Sequence, residues 1–500
     1  MSIDLLQRLE AVFSLDPNAV AIEQDGREYT YGQVASLVSA LDRTLEQAEI
    51  PAGTPVGLLL RNRPGCLAVA LGLIWKNRCL VTVNPMLPPE PLRRDLEALN
   101  VPVLVAEAVD WEDPVFSTSA RQSKALGLKI VYNPDGFALE IVQHAGFDDT
   151  SRDRLPDIAI EMLTSGTTGA PKRIKLRRES LSKSLWAGAR YESGGGELSL
   201  HKTPALLWMP LVHIGGLWNA IYQWYNGRRI LLIEKFSLDA WHHAVSEHRL
   251  RFASLPPSAL GDLLERNWPR EDFSSLLAIR CGAAPLNHDL AEQFEDRYGV
   301  PVLEAYGATE FAGGVAGWTI KDYRAFGRAK RRSVGRANPG VKLRVVDAQT
   351  FEPVAANQEG LLEVCSPQSE DATAWVRTTD RAKLDEDGFL YILGRADNAI
   401  NRGGFKIMPE HVESVLRDHP AVVEACVVGV VDERLGQIPV AACQQRSGVP
   451  APEYTELKAW LSVRLKSYEI PVHVRWMPEL PRTPSLKVSQ LSIRELFRTP

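Results

Sequence analysis

Five hundred residues, 45% hydrophobic and 24% charged, suffice for about three domains and lie well away from disordered compositions. Lys and Arg number 57 against 62 Asp and Glu, a net charge of −5. The bulk charge therefore carries neither a nucleic-acid footprint nor a polybasic membrane signal, and small molecules are the expected partners.

The six cysteines, at positions 66, 79, 281, 365, 426 and 443, never stand at CxxC spacing. That argues against a zinc site, a dithiol redox centre and a disulfide framework, and suits a reducing, cytoplasmic compartment. Asp4, Arg8 and Glu10 interrupt the first ten residues, so no signal peptide is expected. From Ala21 to about Leu393, short apolar runs alternate with helical stretches and Gly/Pro/Asn punctuation, the pattern of layered α/β structure. Val56–Leu60 and Leu80–Val83 read as buried strands, with Cys66–Trp75 as a buried helix between them. Ile158, Ile160 and Met162 alternate into a Gly/Thr-rich turn, and Leu181, Leu185 and Ala189 mark the helix that follows. The uncharged run Thr203–Gly227 is broken by Pro204, Pro210, His213, Gly215-Gly216, Asn219 and Gln223, so it reads as soluble core and no membrane span is expected.

The texture changes after Leu393. Pro409 opens a helix with Val412, Val415 and Leu416, Val422–Val431 reads as a buried strand, and Leu457, Leu461 and Leu465 mark another helix. This predicts residues 1–395 as one large domain and 396–500 as a second, α+β one.

The densest chemical signal is Leu163–Lys172, LTSGTTGAPK. Gly166 and Gly169 let a backbone approach a ligand closely, while Thr164, Ser165, Thr167 and Thr168 offer hydroxyls and Lys172 a positive charge, a set suited to a polyphosphate. It is not the GxxxxGK[ST] phosphate loop, because Pro171 precedes the lysine and Arg173 follows it.

With this loop come Met209–Gly216 (MPLVHIGG), Gly282–Leu286 (GAAPL), Tyr306–Glu310 (YGATE), Thr379-Asp380, Gly394–Asp397 (GRAD), Arg402–Ile407 (RGGFKI) and Pro481–Lys487 (PRTPSLK). In content and order this set resembles the adenylate-forming superfamily of acyl-CoA synthetases, aryl-CoA ligases, adenylation domains and luciferases, over nearly the whole chain. The resemblance implies a large N-terminal domain of packed sheets and helices, a small mobile C-terminal α+β domain, and an active site between them.

It also implies roles. Thr164–Gly169 and Lys172 would cradle phosphate, Gly282, Ala283 and Ala284 would flank adenine, and Tyr306 would stack on it beside Gly307. Thr309 would donate to phosphate, and Glu310, with Thr164, would hold Mg2+. Asp380 would bind the ribose of ATP, and Arg395 ribose and phosphate. Asp397 would be the hinge, and Gly403 and Gly404 would line the path of the CoA pantetheine arm. Lys487 would reach the carboxylate and α-phosphate, with Leu486 standing where the family commonly has glycine. His213, Ala308 and Gly314 would lie on the substrate side.

The implied chemistry has two steps. A carboxylic acid attacks the α-phosphorus of ATP, releasing pyrophosphate and leaving acyl-AMP, and a thiol then displaces AMP. Amino-acid-activating relatives place an aspartate in the segment that reads Leu211–Trp218 here, which contains no acidic residue. An unpaired buried ammonium is costly, so an α-amino acid is disfavoured. Trp218, Phe311, Ala312, Gly313, Gly314 and Val315 point instead to a hydrophobic or aromatic monocarboxylic acid. Three readings stand: a CoA ligase, an acyl-AMP ligase loading a separate carrier protein, and a nucleotide-binding protein without turnover. The presence of Lys172, Glu310, Asp380, Arg395 and Lys487 together disfavours the last. The basic run Arg324, Arg328, Lys330, Arg331, Arg332 and Arg336 reads as a solvated face. Nothing in the sequence speaks to oligomeric state.

Overall fold

The computed structural model describes residues 5–144, 146, 154–164, 172–193, 198–282, 284, 286–308, 311, 313–367, 369, 373–402, 405–432, 434–483 and 486–497. These pack as two compact units. The first comprises residues up to 315 with 338–340 and 366–374, and the second comprises 316–337, 341–365 and 375 onward.

In the first unit β1 (Val20–Gln24) and β2 (Arg27–Thr30) form a hairpin, and Thr30 and Gln33 close a reciprocal capping box on the helix Tyr31–Gln47. β3 (Pro55–Leu59), β4 (Cys79–Val83), β5 (Val103–Glu107), β6 (Leu126–Asn133), β7 (Gly136–Gln143), β8 (Ile158–Thr164) and β9 (Lys172–Arg177) make a seven-stranded sheet of order β7-β6-β5-β3-β4-β8-β9. Its inner strands β3, β4 and β5 are parallel and buried at every residue, which is why they read as continuous apolar runs. The β3–β4 crossover is the helix Pro64–Trp75, apolar all round and buried from Pro64 to Ile74 beneath the helix Tyr31–Gln47. β10 (His201–Leu207) and β11 (Arg228–Leu232) join the hairpin in a second sheet of order β10-β11-β1-β2. The uncharged run supplies the end of β10 and the helix Ile214–Tyr225 between them. β12 (Phe252–Ser254), β13 (Ala278–Gly282) and β14 (Val302–Ala308) run parallel in a third sheet, with β15 (Gly313–Gly317) beside β14.

The second unit opens with the last two residues of β15 paired to β16 (Arg336–Ala337). β17 (Lys342–Val346), β18 (Gly360–Cys365), β19 (Val376–Leu384) and β20 (Leu390–Arg395) form an antiparallel meander. β21 (Ile400–Arg402), β22 (Phe405–Ile407), β23 (Val422–Asp432), β24 (Gly436–Gln445) and β25 (His473–Met477) form the last sheet. One core there joins Ile407, Val412, Leu416, Val427, Leu457 and Leu461. Its second helix ends at Ser462, so Leu465 lies past the helix but still within the core. Among the described residues no helix is long and apolar enough to cross a membrane.

Candidate active site

Each unit carries its own share of the singled-out residues. In the first, β8 and β9 pair antiparallel with Thr164 opposite Lys172 at the closing end of the ladder. The connection they bracket, with Ser165, Gly166, Thr167, Thr168 and Gly169, lies outside the described residues. The returning strand is held by Arg173, whose Nη2 donates to both Asp95 oxygens at 2.7 and 2.8 Å and whose Nη1 donates to the Thr82 carbonyl. Arg173, one of the two residues that set this segment apart from a GxxxxGK[ST] motif, therefore anchors the start of β9.

His213 caps the helix Ile214–Tyr225 with its backbone; its carbonyl accepts from the Gly216 and Leu217 amides. Gly216 is required, because a Cβ there would stand 2.4 Å from the Pro210 carbonyl oxygen and 2.7 Å from that of Met209. The turn preceding His213 is tied down at Trp208, whose Nε1 donates to Ser254 O on β12, and at Asn62, described below.

The ends of β13, β14 and β15 bring another group together. Gly282 pairs with Ala305, whose carbonyl oxygen would be 3.0 Å from a Cβ at 282. One residue on is the half-buried Tyr306, and then Gly307, where a Cβ would meet Gly313 O at 2.4 Å and Gly314 Cα at 2.7 Å. Gly282, Tyr306, Gly307, Ala308 and Gly314 thus share one edge, with Ala284 just past β13. Ala283, Thr309 and Glu310 lie outside the described residues. Beneath this edge the Glu304 carboxyl is buried beside the Cys281 thiol, and His288 Nε2 stands 3.9 Å from it. Loss of hydration raises the Glu304 carboxyl to about 8 and pushes the Cys281 thiol up.

In the second unit Asp380 on β19 stands opposite Arg395 on β20. Arg395 Nη2 donates to Thr379 Oγ1 at 2.7 Å, and its amide donates to Glu410 Oε1 at 3.2 Å. Asp397 follows within the short 3-10 turn Ala396–Asn398. Gly403 and Gly404 lie outside the described residues. Lys487 is exposed, and its carbonyl accepts from the Thr483 amide at 2.7 Å. Leu486 beside it has φ of 64°, in the left-handed region.

The basic run is only partly solvated. Lys330 pairs with Asp385 and Asp387 at 2.8 and 2.7 Å, and Arg336 pairs with Asp322 while stacking over Phe326 and Phe389.

A glycine-rich strand edge with an aromatic in the first unit and an Asp–Arg strand pair in the second suit a nucleotide-using enzyme. The model of the AMP-binding enzyme family matches residues 9–369, and that of the AMP-binding enzyme C-terminal domain matches 411–487. The 2-succinylbenzoate–CoA ligase of Bacillus cereus (strain Q1) is 30% identical, covering 96% of each chain, and that of Bacillus cytotoxicus is 30% identical over 97% of each. ATP-bound MatB from Rhodopseudomonas palustris superposes with a TM-score of 0.82 at 22% identity over 100% of this chain and 99% of that one. The o-succinylbenzoate CoA synthetase (MenE) of Bacillus subtilis, in complex with its acyl-adenylate intermediate, gives 0.78 at 23% over 99% and 98%. The chain belongs to the AMP-binding enzymes of the adenylate-forming superfamily.

Proposed function

We propose that the chain is an AMP-forming acid–CoA ligase whose acid is aromatic. The observation that carries this is the match to CoA ligases over 96% of the chain, joined to the ordered motif set. The aromatic acid is supported by the relatives named for 2-succinylbenzoate, and the absence of any acidic residue from Leu211 to Trp218 disfavours an α-amino acid. The six cysteines are buried free thiols, which supports a reducing cytoplasmic setting.

The acid carboxylate is already ionised at neutral pH, so no general base is required for the first step. Its attack on the α-phosphorus expels pyrophosphate. We assign the charge on the phosphates to Lys172, Thr309 and residues 164–169, and the attacking carboxylate and α-phosphate to Lys487. On motif order Glu310 and Thr164 would hold magnesium, which would supply positive charge against the departing pyrophosphate. Adenine goes to Tyr306 with Gly282, Ala283, Ala284 and Gly307, and ribose to Asp380 and Arg395. The acid goes to His213, Ala308 and Gly314. In the second step the CoA thiol, approaching along Gly403 and Gly404, attacks the acyl carbon and AMP leaves. We assign the hinge to Asp397 and the mobile part to residues 396–500.

The test is AMP and acyl-CoA formation by mass spectrometry, with MgATP and a panel of 2-succinylbenzoate, simple aryl acids and fatty acids, with and without CoA. CoA-dependent acyl-CoA from an aryl acid is expected. Acyl-AMP accumulating whatever the CoA level would favour a carrier-protein thiol, and fatty-acid turnover alone would overturn the aromatic assignment.

A further inference from the structure

Asn62 sits where β3 turns into the helix Pro64–Trp75, and only 7% of it is exposed. Its side chain does not serve that turn. Oδ1 accepts from the Leu211 amide at 2.8 Å, and Nδ2 donates to the carbonyls of Trp208 and Met209 at 3.2 Å each and of Ile233 at 3.3 Å. The Leu211 amide can only donate and the three carbonyls can only accept, so the amide has one orientation, its oxygen engaged by one backbone donor and its two N–H groups shared among three carbonyls. Its own carbonyl accepts from Gln24 Nε2 at 2.9 Å.

The turn is itself immobilised on both sides. Arg61 reaches the buried Asp110 at 2.6 Å, and Arg63 the buried Glu107 at 2.9 Å and Glu234 at 2.8 Å. One amide, on a braced base in the seven-stranded sheet, thus holds four backbone groups of the second sheet's connections. Three of them, Trp208, Met209 and Leu211, lead into His213. A buried amide whose four side-chain bonds go to backbone groups 146 to 171 residues away sets a position.

We infer that Asn62 is a positioning residue for the acid: it sets the Trp208–Leu211 turn, and through it the placement of His213 at the start of its helix. This rests on the reading of His213 as an acid-side residue. With an acid that supports turnover, Asn62→Ala should raise the acid KM about tenfold or more and leave the ATP KM within about threefold, since the phosphate and adenine elements hang on other anchors. In a His213→Ala background, the Asn62→Ala effect on the acid KM should largely vanish, because the two act through one another.

Asn62→Asp supplies a second handle. Its carboxylate faces three carbonyls, whereas the protonated form regains a donor beside an acceptor. Its acid KM should therefore fall towards wild type from pH 8 to 5.5, relative to wild type and Asn62→Ala measured alongside. Equal rises in both KM values, full additivity with His213→Ala, or loss of folding in both Asn62 variants would overturn the proposal and make Asn62 a framework residue. If His213→Ala alone leaves the acid KM unchanged, the His213 reading fails. If it raises the acid KM while Asn62→Ala does not, only the Asn62 inference fails.

Discussion

Asp380 and Arg395 are cross-strand partners on β19 and β20, and the Arg395 guanidinium is further fixed by donating to Thr379 Oγ1 at 2.7 Å. A carboxylate and a guanidinium displayed side by side on a rigid ladder can accept from ribose hydroxyls and contact phosphate with little reorganisation. Removing a hydrogen bond to a charged group costs about 1.5–3 kcal/mol, or roughly 10- to 150-fold. Asp380→Ala should therefore raise the ATP KM about 10- to 100-fold in a pyrophosphate-release assay. The double variant with Arg395→Ala should fall short of the product of the singles, since neighbours on one ladder share the ligand. An unchanged ATP KM in Asp380→Ala would remove Asp380 from the ribose, and in the double variant would remove both.

Lys487 follows a residue whose backbone is strained. Leu486 adopts φ of 64° within a turn closed by the Thr483 amide on Lys487 O, the Leu486 amide on Thr483 O, and Arg482 Nη1 on Leu486 O. A left-handed leucine costs roughly 1–2 kcal/mol, and glycine would relieve it at roughly 0.5–1 kcal/mol of extra unfolded-state freedom. Leu486→Gly should accordingly be neutral to about 1 kcal/mol more stable by urea unfolding, whereas the β-branched Leu486→Val should lose more than about 1 kcal/mol.

The neighbouring lysine tests the division of labour. Lys487→Ala should slow acyl-AMP formation by about 10²- to 10³-fold, the usual loss on deleting one charge stabiliser. Thioester formation from supplied acyl-AMP should stay within about threefold of wild type. Equal losses in both half-reactions would refute the assignment.

What could be read in advance followed from periodicity and from chemistry confined to one segment. The buried helix at Cys66–Trp75 and the buried strands on either side are legible because burial on all faces removes every charge, whereas the strand entering Thr164, which keeps the buried Glu161, is legible from the alternation of Ile158, Ile160 and Met162. Asn62 was not, since its partners lie 146 to 171 residues away and a lone Asn in a turn signals only a turn. In the sequence Arg173 signals only a missing hydroxyl, not the Asp95 pair it makes 78 residues back along the chain. The same holds for the basic run: whether Lys330 and Arg336 face water or Asp385 and Asp322 depends on tertiary pairing that local charge pattern does not encode.

Two glycines of one strand edge should behave oppositely. At Gly307 a Cβ would lie 2.4 Å from Gly313 O and 2.7 Å from Gly314 Cα, both backbone atoms that move only if β14 and β15 part. Gly307→Ala should cost about 1–3 kcal/mol and raise the ATP KM by displacing Tyr306. At Gly314 the nearest atoms to a Cβ are Asn338 Nδ2 at 3.5 Å and Tyr306 O at 3.9 Å, ordinary contacts. Gly314→Ala should leave stability within about 0.5 kcal/mol and move only acid kinetics. Urea midpoints with paired KM measurements decide; equal destabilisation would deny the difference in room.

Glu304 gives a pH signature with a definite sign. Burial raises its carboxyl from the ordinary 4.5 to about 8, and the groups facing it are His288 Nε2 at 3.9 Å and the Cys281 thiol, itself pushed up and so uncharged. Between those values the folded chain keeps a proton that the unfolded chain has lost. The slope of unfolding free energy with pH is therefore negative, and the contribution, whole below about 4.5, is lost as pH rises through about 8. Glu304→Gln is always neutral and lacks this dependence. Its stability relative to wild type should climb by about 2–3 kcal/mol between pH 5.5 and 8.5, out of an upper limit of about 5 kcal/mol set by the full shift. Because the difference is taken between two otherwise identical chains, other buried acids such as Glu413, raised to about 7, cancel. Urea unfolding at three pH values measures it, and a pH-independent difference would mean that Glu304 is already charged beneath the Tyr306 edge.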